Sequence, residues 1–194
     1  VHAALQAGGR REKVLEPLLV CHSEHYLRAY FKVRKGKGTF PIDELGYLYR
    51  CESCWEVTVI RVMEDHLGRC PFCGSRVKVS GPLWIGPLHD TSVVRFLEAN
   101  YSLVKDQEDQ IRIQDFAEIA EGESGLPPYY FEIPMAAKRL KVNTPPRGLV
   151  IQILRSLGFR AVRTHFSPTG VKTDAGYSEF LECVLEALKR KHTR

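Results

Sequence analysis

From Tyr26 to Val33 apolar and polar positions alternate. Leu27, Ala29, Phe31 and Val33 fall on one face, and Tyr26, Arg28, Tyr30 and Lys32 on the other. A period of two is that of a strand. It is read as running from Pro17 through Val33 and ending in the turn or hinge Arg34-Lys-Gly-Lys-Gly38. Val1 to Gln6 reads as the end of a helix stopped by Gly8-Gly9. Trp55 to Met63, rich in Val, Ile and Thr, predicts a strand, and Ser75 to Ser80 a shorter one. Thr91 to Val104 predicts a helix with Val93, Val94 and Leu97 inward. Asp109 to Glu121 predicts a second, and Pro134 to Leu140 a short third. Thr144-Pro145 reads as an N-cap with proline in the first turn. That helix would bury Val150, Ile151, Ile153, Leu154 and Leu157 and stop at Gly158. Phe159 to Phe166 follows as a strand. In the last helix Tyr177, Phe180, Leu181, Val184, Leu185 and Leu188 share one face. Its acids Glu179 and Glu182 come early and Lys189, Arg190 and Lys191 late, which suits the helix dipole. These elements make an α+β chain.

At 194 residues the chain is long enough for one large domain or two small ones. Apolar residues at 44% and charged residues at 26% place it among globular proteins. No apolar run approaches the ~18 residues of a membrane helix, and Val1 to Arg10 lacks the order of a signal peptide. A cytoplasmic protein without membrane partners is expected. The chain opens on Val rather than Met, so it reads as a segment of something longer. Its net charge of +5 is unevenly spread. Between Ser102 and Gly125 seven acids face Lys105 and Arg112, so that stretch carries −5 and the remainder +10. A basic body with one acidic lobe suits a polyanionic partner, and it also suits a solvated mixed surface.

Four of the six cysteines form the pattern C-x2-C-x15-C-x2-C: Cys51, Cys54, Cys70 and Cys73. Two residues between cysteines let both sulfurs of a pair reach one ion from a tight turn, and two such turns complete a tetrahedron around Zn2+. Gly74 follows the last ligand, where a positive φ is often needed. Four thiolates leave no position for water or substrate, so the zinc is structural. A disulfide or redox pair and an iron centre are the alternatives. His66 and His89 are substitute ligands that four cysteines make unnecessary. Cys21 and Cys183 read as buried thiols.

The face Tyr26/Arg28/Tyr30/Lys32 interleaves rings with cations, as surfaces that stack bases do, or as a strand face covered by a helix does. Lys138, Arg139, Lys141 and Arg147 surround the Thr144-Pro145 turn, with Arg155, Arg160, Arg163 and Lys172 after it. Helix, turn, helix and strand pair give a winged-helix-like order. Enzyme motifs are missing. Leu126-Pro-Pro-Tyr129 resembles the Asx-Pro-Pro-aromatic motif of amino methyltransferases without its Asx, and Gly36-Lys-Gly38 is not a nucleotide loop. Asp43/Glu44 and His89/Asp90 are explained by loops and caps. No catalytic or cofactor-binding residue is assigned.

Taken in order, His25-Tyr-Leu-Arg-Ala-Tyr-Phe31, the four cysteines, Gly81-Pro-Leu-Trp-Ile-Gly-Pro-Leu-His-Asp90, Pro127-Pro-Tyr-Tyr-Phe131 and Arg163-Thr-His-Phe-Ser-Pro-Thr-Gly-Val-Lys-Thr-Asp174 carry a resemblance. The chain resembles the C-terminal half of the tRNA (guanine-26-N2)-dimethyltransferase family. The resemblance implies an enzyme that moves methyl groups from S-adenosylmethionine to the N2 of a guanine in tRNA. Residues 1–38 would end its Rossmann-like methyltransferase domain. Residues 39–194 would be the family-specific C-terminal domain, with a zinc-ribbon-like element at about 46–80 and a small mixed α/β, winged-helix-like part. The cofactor motifs and the catalytic acid would lie in a missing N-terminal half. Resemblance and charge together nominate Arg139, Lys141, Arg147, Arg163, His165 and Lys172 as tRNA contacts. The rivals are a zinc-ribbon/winged-helix regulator that binds duplex DNA and a protein-interaction module with an incidental basic surface.

Overall fold

The computed structural model describes residues 1–23, 25–36 and 41–192. Helix α1 (His2–Gly9) leads into an antiparallel hairpin, β1 (Lys13–Ser23) and β2 (Tyr26–Lys35). The expected single strand Pro17–Val33 is therefore two strands. Pro17 stays in β1, at a register shift between Pro17 and Leu19. The alternation in β2 is real, yet its described face and back are both largely exposed; only Phe31 is half-buried. The second half of the expected Arg34–Gly38 turn, and with it the domain boundary at 38/39, lies outside the described residues.

The next sheet is built around β3 (Leu45–Cys51), flanked by β4 (Val57–Arg61) and β5 (Val77–Trp84), both antiparallel to it. β3 was not foreseen, because Tyr47, Tyr49 and Arg50 mask its apolar alternation. Tyr49 is buried at its centre. Gly46 lets β4 and a following loop close in, since a Cβ there would lie 2.6 Å from the Ile60 carbonyl oxygen.

Helices α2 (Thr91–Asn100) and α3 (Gln107–Glu123) pack through Val94, Ala117 and Ala120. Leu19 of β1 joins them, and the Asp90 N–H donates to the Leu18 carbonyl. Asp90 caps α2 by accepting from the Ser92 and Val93 N–H groups, and Asp106 caps α3.

The main core lies in the C-terminal third. There β6 (Phe131–Glu132), β8 (Ser167–Thr173) and β7 (Ala161–Thr164) form a sheet with β8 central. Helices α4 (Ile133–Leu140), α5 (Arg147–Ser156) and α6 (Tyr177–His192) cover it, burying Ile133, Val150, Ile153, Leu154, Val171, Phe180 and Val184. The α5 cap differs from expectation. The helix starts after Pro146, which carries no side-chain cap, so Thr144 lies two residues outside it. Leu157 is at the C-cap and 62% exposed, because Gly158 (φ 92) turns the chain before another buried turn can form. The expected strand Phe159–Phe166 is β7, and β8 is an addition. Cys183 is buried as expected, Cys21 only partly. No described helix is long and apolar enough to cross a membrane.

Candidate metal centre

Strand β3 ends on Cys51 and turns through Ser53 into Cys54 and Trp55, whose φ of 70° closes the first knuckle. The Ser53 and Cys54 N–H groups donate to the Cys51 sulfur at 3.3 and 3.4 Å. The Cys51 N–H donates to the Glu56 carbonyl. The second knuckle repeats the device. The Gly74 N–H bonds the Cys70 carbonyl at 2.9 Å, the Cys70 N–H bonds the Ser75 carbonyl, and Gly74 takes φ 69°.

Together the knuckles bring the four sulfurs within 4.8 Å of one another. Cys51 and Cys73 are 3.4 Å apart, and Cys54 and Cys70 3.6 Å. A tetrahedral thiolate site with Zn–S of about 2.3 Å has S···S edges of about 3.8 Å, so the spacing fits zinc. Two thiols are biased in opposite directions. The Ser75 hydroxyl and N–H hold Cys73 down at about 6, whereas burial pushes Cys54 up to about 12. His66 is not among the four; it bonds the Tyr49 hydroxyl.

The centre is tied to the main core by two contacts that span more than eighty residues. The Glu56 carboxylate accepts from the Tyr177 and Ser178 N–H groups at 2.9 Å each, capping α6 where Gly176 has no side chain to do so. Arg139 of α4 donates to the Ser53 carbonyl at 2.6 Å and lies 4.9 Å from the Trp55 ring centre. Trp55 in turn stacks on Tyr177 at 5.8 Å.

A second cluster forms where two of the sequence motifs meet. Glu123, at the end of α3, has a side chain 1% exposed. Its Oε1 accepts from the Thr164 hydroxyl at 2.6 Å, and Lys172 Nζ is 3.3 Å from Oε2. His165 Nδ1 lies 3.4 Å from Oε1, and His89 Nε2 3.9 Å from Oε2. Burial alone would raise the Glu123 carboxyl, but His165, His89, Lys172 and Thr164 outweigh it and hold the group well below the usual range. His89, Glu123 and His165 also place ligand atoms within 4.8 Å of one another, as a metal site would. The Lys172 ammonium already neutralises the carboxylate there, which makes a buried ion pair the simpler occupant.

The six nominated residues divide four ways. Arg139 and Lys141 are exposed, Arg139 on the first cysteine knuckle and Lys141 at the left-handed C-cap of α4. Arg147 begins α5, is half-buried, and reaches the Ser167 carbonyl at 3.4 Å. Arg163 pairs with Asp115 at 2.5 Å and Glu118 at 3.6 Å. His165 and Lys172 are enclosed with Glu123, their side chains 6% and 8% exposed. Glu56 and Glu123 escaped the sequence reading, Glu56 unremarked and Glu123 counted with the solvated acidic lobe. The signal for Glu123 was indirect: two histidines and a lysine in specific motifs call for a counter-charge.

The N2,N2-dimethylguanosine tRNA methyltransferase family model matches residues 1–185. The tRNA (guanine(26)-N(2))-dimethyltransferase of Aeropyrum pernix is 34% identical over 183 residues, covering 90% of this chain and 44% of that protein. The Methanothermobacter thermautotrophicus enzyme of the same name is 32% identical over 178 residues, covering 89% and 46%. Trm1 from Pyrococcus horikoshii, solved with S-adenosyl-L-methionine, superposes with a TM-score of 0.72 at 25% identity, over 92% of this chain and 46% of that one. The chain thus spans about half the length of the curated relatives it matches. With residues 1–185 matched, the chain belongs to the N2,N2-dimethylguanosine tRNA methyltransferase family.

Proposed function

We propose that this chain is the zinc-stapled, tRNA-holding C-terminal part of a tRNA (guanine-26-N2)-dimethyltransferase. The match of residues 1–185 to the family, at less than half the length of its relatives, carries the reading. The whole enzyme would transfer methyl groups from S-adenosylmethionine to guanine N2 in cytoplasmic tRNA. The cofactor and the catalytic acid would be held by an N-terminal methyltransferase half, so no residue described above is given that work. Residues 1–38 would close the methyltransferase domain. In support, the β1–β2 sheet stops at two strands and leaves β2 exposed, as a sheet margin awaiting neighbours would be.

Zinc would sit on Cys51, Cys54, Cys70 and Cys73 as a structural ion. The sulfur spacing, the N–H···S bonds and the all-thiolate donor set support it. The three-stranded sheet whose central strand ends on Cys51 supports a ribbon-like description. The order α4–α5–β7–β8 supports a winged-helix-like one. Arg139, Lys141 and Arg147 are the side chains best placed to meet phosphates. Arg163, His165 and Lys172 would act on tRNA mainly by holding β7 and β8 in shape. The family match disfavours the DNA-binding regulator.

The test is binding of folded tRNA and duplex DNA of equal charge across a salt series. Tighter tRNA binding with a steep salt slope is the expected result. Equal affinity for both polyanions would reject tRNA specificity.

A further inference from the structure

Three of the sequence motifs meet on the C-terminal sheet. Pro127-Pro-Tyr-Tyr-Phe131 leads into β6, Arg163-Thr-His-Phe166 turns β7 into β8, and Pro145-Pro-Arg147 opens α5. The rings of Tyr130 and Phe166 lie within 3° of parallel, with centres 6.5 Å apart. Tyr130 is 36% exposed, and Phe166 is half-buried. A flat group laid parallel to one ring is therefore parallel to both.

Both rings are held in place. Tyr130 lies against Gly170 of β8, where a Cβ would come within 2.9 Å of its Cδ2, so the strand keeps bare backbone there. Phe166 packs on His165 at 3.9 Å between ring centres, and its N–H donates to the Thr164 hydroxyl at 3.4 Å. Thr164 is in turn bonded to buried Glu123, beside which His165 sits. Rings fixed in this way lose little freedom on taking a partner. The charges around them are uneven. Arg147 reaches the Ser167 carbonyl, next to Phe166. Asp115 acts on Arg147 but pairs with Arg163, which leaves Arg147 without an ion pair among the described residues. Tyr130 instead has the Glu132 carboxylate nearby, which together with burial raises its phenol; Glu132 itself accepts from the Thr169 hydroxyl at 2.6 Å. A phosphate would be repelled beside Glu132 and drawn to Arg147.

We propose that Tyr130 and Phe166 form a stacking platform for an unpaired base of tRNA, with Arg147 on the phosphate of that nucleotide. The proposal rests on the reading that the chain holds tRNA. Exposed rings beside a cation are how proteins take up bases from loops and single strands. A base inside a duplex does not suit the platform, because its faces are already covered by its neighbours in the helix. Arg147 alone would hold any phosphate; the rings are what distinguish an unpaired nucleotide from a paired one.

The test compares binding of folded tRNA, a single-stranded RNA and a duplex RNA of equal charge. Tyr130→Leu keeps apolar bulk and removes the flat face. It should weaken binding of tRNA and of the single strand by about 5- to 150-fold, the worth of one stacked base, and leave duplex binding unchanged. Phe166→Leu, which alters the second ring, should show the same pattern. Tyr130→Phe keeps the ring and should bind as the unaltered chain does. Arg147→Ala should weaken tRNA binding and lower its salt slope by about one, whereas Tyr130→Leu should weaken it at unchanged slope. Thermal unfolding of the Tyr130 variants should match that of the unaltered chain, which separates a binding role from a packing role. Full tRNA binding by both leucine variants, or equal weakening for single strand and duplex, would overturn the platform and leave the tRNA reading standing. No tRNA binding by the unaltered chain would overturn both.

Discussion

Replacing Glu56 with alanine should cost about 2–5 kcal/mol of stability. The size follows from what its carboxylate does. It accepts two N–H bonds of 2.9 Å at the first turn of α6, and one of those donors belongs to buried Tyr177. Loss of a side-chain cap typically costs about 1–2 kcal/mol, and a buried N–H left without an acceptor about 1–3 more. The residue before the helix, Gly176, has no side chain of its own to substitute. Glu56→Gln should fall between the two, since an amide keeps one acceptor oxygen and turns an N–H2 toward a donor. Urea unfolding of the zinc-loaded chain measures both, with the midpoint falling at constant slope. The cap should also depend on the metal, because Glu56 is two residues from Cys54. In chelated protein the substitution should cost much less, a non-additivity of at least about 1 kcal/mol. A loss below about 0.5 kcal/mol in zinc-loaded protein, or an equal loss with and without metal, would refute this account of the junction.

Three further outcomes follow from the same geometry. Glu123→Gln strands the Lys172 ammonium in the interior and should cost about 3–5 kcal/mol, read by the same unfolding curves. Because the Glu123 carboxyl is depressed in the folded state, its contribution is full above the unfolded carboxylate range near about 4.3 and is lost as pH falls below it. A stability–pH profile should therefore drop on the acid side, and the drop should be shallower in Glu123→Gln. Chelation should release one zinc per chain by elemental analysis and expose four thiols to a colorimetric reagent; folded, metal-free protein at neutral pH would exclude the structural ion. Gly46→Ala should destabilise by about 1–3 kcal/mol, because its Cβ would meet the Ile60 carbonyl at 2.6 Å and Ile85 Cδ1 at 2.8 Å; unaltered thermal unfolding would show that β3 and β4 have room.

What could be read in advance was local. The cysteine spacing needs only two tight turns, and α6 announces itself by its apolar face, of which Tyr177, Phe180 and Val184 are buried while Leu185 is exposed. What escaped depended on distant neighbours. Ser167-Pro-Thr-Gly-Val-Lys-Thr173 looks like a polar loop, yet it is the central strand β8, whose Lys172 is buried because Glu123 is there to receive it. Glu123 was counted in an acidic lobe because charge was summed along the chain, whereas its partners come from residues 89, 164, 165 and 172. The α5 cap failed for a nearer reason. Two consecutive prolines after Thr144 favour extended backbone for the residues before them, which delays the first helical turn. Burial of His165 and Lys172 likewise could not be read from sequence, since it depends on Glu123, which lies far earlier in the chain.

The Glu56 and Arg139 ties have a consequence for how this part of the chain can be divided. A small hairpin carrying four clustered cysteines invites treatment as an interchangeable insert, to be removed, transplanted or fused elsewhere. Here the last helix borrows its starting point from that hairpin, and α4 is fastened to it as well. A fragment cut after β5 would inherit a C-terminal helix with an open first turn. Evolution of this part of the chain would then have to carry the hairpin and the C-terminal helices together, as a single inherited unit.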